Sequence, residues 1–339
     1  MDTRPERTRV YRGANLDSTH WDGFRPRPDD IVISTSMKAG TTWMQRICAA
    51  LVFQSPDLDA PVDALSPWLD LRIMPGEITL ALLEAQTHRR FIKSHIPLDA
   101  LPFFDEVKYI VVCRDGRDVM LSAFNHYCNQ LPWSFEMVNS RTGEEMLAVR
   151  EKRNLETPPA IAAALLRQEP WEGESMQVWD EPDVHEFVGT WLTKGMYPGE
   201  FDGAPFWSHF RHLQSWWEFR RLPNVLFVHY SDLLADLDAG MRRVAEFLEI
   251  EVREDLWDTL VNAATFETMK AQADKTAPAR GVWRDATRFF DRGVSGGWRE
   301  VLTPDEQVLY DAAVRKSLDP VAARWMEHGT LKVGDPVRL

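Results

Sequence analysis

Cysteine is scarce in this chain, and the few cysteines present form no recognisable pattern. Cys48, Cys113 and Cys128 are the three cysteines in 339 residues, and each lies in an apolar context. Their spacing is not that of a metal site. We therefore expect buried free thiols in a protein of a reducing compartment.

The chain also lacks a surplus of basic residues and long hydrophobic runs. Its formal net charge of −13 at pH 7 argues against nonspecific nucleic-acid binding, although a local pocket could still bind an anion. The N-terminal sequence has no apolar core like that of a signal peptide. No run approaches the roughly 18 apolar residues of a membrane span. These absences predict a cytoplasmic protein that has no transmembrane segment and no nucleic-acid partner.

Internal repeats and low-complexity tracts are absent too, and strand-like and helix-like patterns alternate instead. Short apolar runs typical of strands covered on both faces lie at 30–34, 90–94, 108–113 and 224–229. Helical patterns lie at 41–53, at 117–129, at 232–248 after Ser231 as N-cap, and at 304–317 after a capping box that starts at Thr303. This order predicts an α/β fold, a single domain over residues 1–339 with a mostly parallel central sheet flanked by helices.

Residues 131–210 depart from this alternation, because prolines and tryptophans dominate them. The tryptophans are Trp133, Trp171, Trp179, Trp191 and Trp207. One interpretation is an ordinary helical insertion that uses tryptophan for packing. The other is a helical lid over the carboxyl edge of the sheet, where such folds bind ligands. We expect the lid, on the acceptor side of the site, because its aromatic rings would suit an apolar or ring-bearing acceptor.

The stretch S-T-S-M-K-A-G-T-T-W at 34–43 has the outline of a P-loop-like phosphate-binding loop between a strand and a helix. Gly40 permits a tight turn, and the backbone N–H groups after Lys38 would converge on one anion at the helix N-terminus. Thr41 and Thr42 add two hydroxyl donors. The pattern G-x-x-x-x-G-K-[ST] is absent from the chain, which disfavours a magnesium-dependent triphosphatase.

Two further motifs could bind the same anion. In Y-I-V-V-C-R-D-G-R-D-V-M-L-S, Arg114 ends a strand and Ser122 lies on the following helix. In R-F-F-D-R-G-V-S-G-G-W, a basic, glycine-rich loop could close over a phosphate. The second motif also contains G-x-S-x-G at 293–297, but no hydrophobic strand enters it, so it does not fit a hydrolase nucleophile elbow.

These three motifs, in this order and at these spacings, resemble those of the cytosolic-type sulfotransferases that use 3′-phosphoadenosine 5′-phosphosulfate (PAPS). The resemblance extends over nearly the whole chain, including R-P-D-D, F-I-K-S-H-I-P-L and F-V-H-Y-S-D-L, and is weakest in the 131–200 insertion. Actinobacterial glycolipid-type sulfotransferases are similar in layout. The resemblance implies a sulfotransferase with PAPS as sulfonate donor and adenosine 3′,5′-bisphosphate (PAP) as product, and with no metal.

The resemblance also implies a role for individual residues. Lys38 matches the lysine at the bridging oxygen of the donor, and Lys93 and His95 match the lysine and the catalytic histidine. Residues that match nucleotide-binding positions are Lys38, Ala39, Gly40, Thr41, Thr42, Trp43, Arg114, Ser122, Tyr230, Phe266, Arg292 and Gly293. Charge builds on the bridging oxygen as the sulfur–oxygen bond breaks, so a cation must be aimed there. The acceptor would be a small or lipid-like molecule with a hydroxyl group.

Several positions depart from the family pattern. Asp291 stands where an arginine is usual, so either its side chain points away or Arg280, Arg284 or Arg288 replaces the cation. Ala264 stands where a threonine often touches adenine. Whether the neighbouring Thr265 takes over that contact stays open. Ala39 removes one hydroxyl donor. The segment K-x-x-x-T-V-x-x-x-E, a dimerisation motif in animal members, is absent, so the oligomeric state stays open.

Two other functions are compatible with parts of this sequence. A nucleotide kinase of related architecture would require the missing G-K-[ST], and a non-catalytic nucleotide-binding protein of the same fold would not need both Lys38 and His95. His209 and His212 have no third metal ligand at convincing spacing. His88, His126 and His229 are interpreted as structural or surface histidines, and Asp232 and Asp236 as first-turn acids of a helix.

Overall fold

A four-stranded parallel sheet forms the centre of the computed structural model, which describes residues 4–178, 183–277, 281–290 and 293–339. Its strands are β1 (Ile31–Thr35), β2 (Phe91–Ser94), β3 (Lys108–Cys113) and β4 (Val225–His229). Their order in the sheet is β2-β1-β3-β4, and every neighbouring pair is parallel. The predicted α/β fold with its mostly parallel sheet is therefore confirmed, and each strand begins and ends within one residue of its predicted bounds.

Helices surround the sheet. They are α1 (Thr41–Phe53), α2 (Val62–Leu65), α3 (Gly76–Ala85), α4 (Gly116–Asn129), α5 (Pro132–Asn139), α6 (Gly143–Lys152), α7 (Pro159–Arg167), α8 (Val184–Thr193), α9 (His209–Trp217), α10 (Tyr230–Ala235), α11 (Leu237–Leu248), α12 (Glu254–Ala263), α13 (Phe266–Ala271), α14 (Ala273–Thr276), α15 (Pro304–Ser317), α16 (Pro320–His328) and α17 (Thr330–Val333). Short 3-10 helices lie at Ser18–Gly23, Leu98–Ala100, Ala286–Phe289, Gly297–Glu300 and Pro336–Arg338. No helix of the described residues is long and apolar enough to cross a membrane.

Each face of the sheet packs on its own hydrophobic core. Along β1, Val32 belongs to the core shared with α4, α8 and α9, whereas Ile31 and Ile33 belong to the core shared with α1, α11 and α12. Successive side chains of a strand point to opposite faces. Both faces are therefore covered by helices, which is why the strands are continuous apolar runs in the sequence.

Three predicted helices agree with the structure. Helix α1 has the predicted bounds, and α4 begins one residue early, at Gly116, with Asp115 as N-cap. The capping box before α15 is present, because the Thr303 hydroxyl accepts the Glu306 N–H at 3.3 Å and the Glu306 carboxylate accepts the Thr303 N–H at 2.8 Å.

The predicted helix over 232–248, with Ser231 as N-cap, was wrong. The segment forms two helices, α10 and α11, and Ser231 lies inside the first of them. The N-cap of α10 is His229, whose imidazole accepts the Ser231 N–H at 3.2 Å. Asp236 has an extended backbone and accepts the Ala239 N–H at 2.9 Å, so it caps α11 and breaks the helix there. Asp232 is indeed a first-turn acid.

The carboxyl ends of the strands meet at one edge of the sheet and position the functional residues. The loop that carries Lys38 follows β1, His95 follows β2, Arg114 follows β3 and Tyr230 follows β4. Parallel α/β sheets bind ligands at this edge.

Candidate active site

A cavity of about 540 Å³ lies at the carboxyl edge of the sheet. Its lining includes nearly all the predicted site residues. They are Lys38, Gly40, Thr41, Thr42, Trp43, Lys93, His95, Arg114, Ser122, Tyr230, Phe266 and Gly293. Ala39 is fully buried within the loop and is not part of the lining. Asp291 and Arg292 lie outside the described residues, as does Arg280.

The loop after β1 has an unusual backbone. Lys38 has a φ of 61° and Gly40 a φ of 118°, both in the left-handed region. This conformation is uncommon for a lysine and is typical of functional loops. At Gly40 a Cβ atom would lie only 3.1 Å from the Tyr230 ring, so a larger residue would crowd the loop. The Lys38 Nζ lies 4.1 Å from the centroid of the Phe289 ring, on the cavity wall.

Arg114 is a buried cation with unused hydrogen-bonding capacity. Its Nη2 donates to the Val294 carbonyl at 2.9 Å, and its guanidinium stacks 4.3 Å above the Tyr230 ring. Its Nε is buried and has no hydrogen-bond partner within the described parts of the chain. A buried unpaired N–H is costly, and on a guanidinium it suits an anion. Arg114 therefore has the geometry of an anion-binding residue.

The glycine-rich loop is attached to α4. Gly293 has a φ of 63°, and a Cβ atom there would lie 2.6 Å from the Phe266 ring. The Gly296 N–H donates to both carboxylate oxygens of Asp118, at 2.8 and 3.0 Å. Burial raises the pKa of Asp118. Since Asp118 also lines the cavity, the loop and α4 enclose the side of the cavity that holds Arg114.

His95 is held at both its backbone and its ring. Its N–H donates to the Asp70 carboxylate at 2.9 Å, and its Nδ1 lies 2.7 Å from the Thr35 carbonyl. A carbonyl can only accept, so Nδ1 carries the hydrogen and Nε2 keeps its lone pair. Trp68 and Trp207 pack against the ring, with centroid distances of 4.8 and 5.0 Å. The ring is therefore fixed in the tautomer that a general base requires.

Burial and neighbouring cations keep His95 neutral. Desolvation, followed by the charge of Lys93, lowers the pKa of His95 well below its usual value. The Lys93 amine is itself buried, which lowers its pKa to about 8 although Asp70 opposes the shift. Its Nζ lies 4.2 Å from the centroid of the Trp68 ring. The edge of the sheet thus combines a neutral imidazole with two lysines, because Lys38 also faces the cavity.

The remaining walls of the cavity are mainly apolar. Described side chains from 131–210 that line it are Trp133, Ser134, Met137, Val138, Met176, Val184, Phe206 and Trp207. Trp171 and Trp191 are instead buried as packing residues. The segment thus supplies both cavity-lining and packing side chains, and Trp179 lies outside the described residues.

Several residues of the site have no recognisable signal in the sequence. Asp70 is buried among Trp21, Trp68 and the His95 N–H. Phe289 and His126 both line the cavity. His126, which the sequence indicates as a structural or surface histidine, thus lies on the cavity wall. All of these residues have hydrophobic neighbours in the sequence, as core residues do. Only their position in the tertiary structure identifies them as part of the site.

Other sequence candidates lie elsewhere. No three His, Cys, Asp or Glu side chains converge on a possible metal site within the described ranges. The Thr265 hydroxyl contacts the Asn262 carbonyl and caps α13, and Thr265 is not part of the cavity lining. Arg284 and Arg288 are exposed and also lie outside the lining.

Comparison with known proteins decides the family. The sulfotransferase domain matches residues 28–322 of this chain. The chain belongs to the sulfotransferase family. A glycolipid sulfotransferase of Mycobacterium bovis is 35% identical to it over 323 residues, which cover 94% of each chain. The predicted resemblance is confirmed, and the protein is a sulfotransferase that transfers sulfonate groups.

Solved structures share the fold of this sulfotransferase. The mouse sulfotransferase SULT7A1 complexed with PAP matches with a TM-score of 0.61 and 22% identity, over 90% of both chains. Retinol dehydratase, in complex with androsterone and PAP, matches with a TM-score of 0.60 and 19% identity, over 89% of this chain and 84% of that chain.

Proposed function

We propose that this sulfotransferase transfers the sulfonate group of PAPS to a hydroxyl group of an apolar, lipid-like acceptor. One observation carries the proposal: the lining of one cavity includes the cations Lys38 and Arg114, the apolar Trp133 and the neutral His95. We call the part around Lys38 and Arg114 the anion-binding half and the part around Trp133 the acceptor half. A donor with two phosphate positions and an apolar acceptor would thus approach each other at a neutral imidazole.

The residues of the anion-binding half fit the donor. The unpaired buried Nε of Arg114 suits the 3′-phosphate, with Ser122 on the same wall. The tight turn at Gly40 and the N-terminus of α1 suit the 5′-phosphosulfate. The two structural neighbours described above bind PAP, which supports the same nucleotide here. Trp43 and Phe266 line the cavity where an adenine ring would need apolar contacts.

The reaction needs one bond made and one broken at sulfur. The acceptor oxygen attacks sulfur, the bond between sulfur and the bridging oxygen breaks, and the 5′-phosphate leaves with the electron pair. Lys38 stabilises the charge on that oxygen, because its left-handed backbone brings the amine to the cavity wall. The acceptor proton passes to Nε2 of His95.

The low pKa of His95 is compatible with this role. Burial, and after it the charges of Lys93 and Lys38, lower the pKa in the free protein. A bound anionic donor would offset both positive charges and make the imidazole more basic. We propose that Lys93 is a second cation near the transferred sulfonate group, because the motif K-S-H places it two residues before His95.

The acceptor half suits a hydroxyl on an apolar skeleton. Trp68 and Trp207 pack directly against His95, so a reacting hydroxyl must approach it between aromatic rings. We infer that residues 131–210 act as the acceptor-side lid, because side chains from Trp133 to Trp207 form much of this wall. The name of the mycobacterial relative, a glycolipid sulfotransferase, supports a lipid-like acceptor.

Calorimetry tests the donor. We expect PAP to bind without metal and more tightly than ATP, whether or not magnesium is present. Tight binding of ATP that requires magnesium, with weak binding of PAP, would favour the kinase instead. Turnover is tested separately, by following transfer of labelled sulfonate from PAPS to a panel of amphipathic alcohols and phenols. Binding of PAP without transfer to any of them would favour the non-catalytic alternative.

A further inference from the structure

Helix α9 carries two buried histidines that the proposed reaction does not use. His209 and His212 each contact a serine at the carboxyl end of β1 or just beyond it. His212 Nε2 lies 2.9 Å from the Ser34 hydroxyl, which also accepts the Trp216 indole N–H at 3.0 Å. His209 makes a different pair of contacts, and these reach both anion-binding segments.

The ring of His209 connects two segments of the site. Its Nδ1 lies 2.5 Å from the Ser36 hydroxyl, and its Nε2 lies 3.0 Å from the Arg114 carbonyl. Since the carbonyl only accepts, Nε2 carries the hydrogen and Nδ1 accepts from Ser36. Burial lowers the pKa of His209 to about 4, so the ring is neutral at physiological pH and keeps this arrangement. Both of its nitrogens are thus engaged.

The two segments are those that carry the anion-binding groups. Ser36 lies two residues before Lys38, at the start of the loop after β1. Arg114 presents its guanidinium to the cavity while its carbonyl faces His209. The imidazole therefore connects the Ser36 hydroxyl, at the start of the loop proposed for the 5′-phosphosulfate, with the main-chain carbonyl of Arg114, the residue proposed for the 3′-phosphate.

His209 is itself held in place. The main-chain N–H of His209 donates to the Asp202 carboxylate at 2.9 Å, and the main-chain N–H of Phe210 donates to the same carboxylate oxygen at 3.2 Å. The Ser208 hydroxyl also donates to Asp202 and accepts the Arg211 N–H as the N-cap of α9. Asp202 is buried, so the start of α9 is a rigid support for the ring.

We propose that His209 is a positioning residue that fixes the spacing between the 5′-phosphosulfate and 3′-phosphate subsites. The inference rests on the proposed function, because it takes PAPS as the donor. The two phosphates of this nucleotide share one ribose, so their separation varies little. A ligand with both phosphates depends on the spacing of the subsites, whereas a ligand with one phosphate can shift to suit its own subsite.

The test compares three ligands on variants of the full chain. Ser36→Ala removes only the hydroxyl, and His209→Asn shortens the side chain so that it cannot contact both partners. We expect each variant to bind PAP about 3- to 10-fold more weakly, the value of one neutral hydrogen bond. The affinities for adenosine 5′-monophosphate and adenosine 3′-monophosphate should each change by less than about twofold. Titration calorimetry measures all three, and thermal unfolding checks that the variants fold.

Ser34→Ala is the matched control. It removes the hydroxyl that contacts His212 and Trp216, but it leaves the contacts of His209 with Ser36 and with the Arg114 carbonyl intact. It should lower the melting temperature and leave the ratio of bisphosphate to monophosphate affinity unchanged. Equal losses for all three ligands in Ser36→Ala, or no loss for any, would overturn the inference. Failure of the unaltered protein to bind PAP would overturn the proposed donor, and with it the inference.

Discussion

The two halves of the cavity are built in different ways. The anion-binding half comes from short backbone segments at the ends of β1 and β3 and from the loop at Gly293, where φ values and hydrogen bonds to main-chain groups set the shape. The acceptor half comes from side chains, mostly aromatic, contributed by segments distant in sequence such as those of Trp68, Trp133 and Trp207.

This difference decides what each half can tolerate. A site formed by the main chain recognises a pattern of charges and tolerates few changes of the backbone. A wall formed by side chains can change through single substitutions of aromatic residues. Donor recognition and acceptor recognition should therefore respond to different mutations. The following predictions test that separation, starting with the point where the two halves meet.

The largest effect is expected at His95. His95→Ala removes the nitrogen that would accept the acceptor proton, so turnover should fall by about 10²- to 10⁴-fold. The affinity for PAP should stay nearly unchanged, because in the proposed reaction the ring contacts the acceptor and not the nucleotide. Steady-state kinetics with a proven acceptor, together with calorimetry, measures both.

A histidine at the other end of the same strand provides the control. His88 precedes β2, and its Nδ1 contacts the neighbouring Arg89 carbonyl outside the cavity. His88→Ala should retain turnover. Full turnover in His95→Ala would show that the imidazole only supports the strand end.

Arg114→Ala should weaken PAP binding by about 10- to 100-fold, since a hydrogen bond to a charged group contributes ~1.5–3 kcal/mol. The loss for adenosine 5′-monophosphate should be far smaller, because that ligand lacks the 3′-phosphate. Competition binding measures the two affinities. Equal losses would mean that Arg114, through its contacts with Val294 and Tyr230, is only structural.

Two tryptophans of the same segment should separate acceptor binding from stability. Trp133 lines the cavity, so Trp133→Ala should raise the acceptor KM about tenfold, the effect of losing roughly 1.4 kcal/mol of apolar contact. PAP affinity should not change. Trp171 is buried outside the cavity and donates to the Ser140 carbonyl, so Trp171→Ala should instead cost about 3–5 kcal/mol of unfolding free energy. A loss of stability without a change of KM in Trp133→Ala, together with a raised KM in Trp171→Ala, would contradict the proposal that residues 131–210 form an acceptor-side lid.

The smallest expected effect is a dependence of kcat/KM on pH that arises from the titration of Lys93. Burial favours its neutral form and lowers its pKa to about 8, so the cation is present below that pH and is lost above it. At subsaturating PAPS, kcat/KM should fall about fourfold by pH 8.5. Lys93→Arg, which stays charged, should remove this decline. The value of kcat/KM should not decrease near pH 6.5, because the pKa of His95 lies well below that pH. A decrease there would contradict the conclusion that the imidazole is neutral.

The strands, the loop and the order of motifs were predictable because each depends on residues close together in the chain. The apolar runs are β1 to β4. In K-A-G-T-T, the first three residues form the turn before α1, and Thr41 and Thr42 begin the helix. The helix over 232–248 was mispredicted because its break depends on whether Asp236 caps a new helix or continues the old one, and both fit the local pattern.

The sequence by itself thus determined the α/β fold, the family and most of the predicted site residues that line the cavity. Tertiary structure alone decided that Asp70 holds His95, that Phe289 lies under the Lys38 amine and that His209 links Ser36 to Arg114. The physical reason is distance along the chain. Ser36 and His209 are 173 residues apart, so their hydrogen bond depends on how α9 packs against β1 and not on any local preference of either residue.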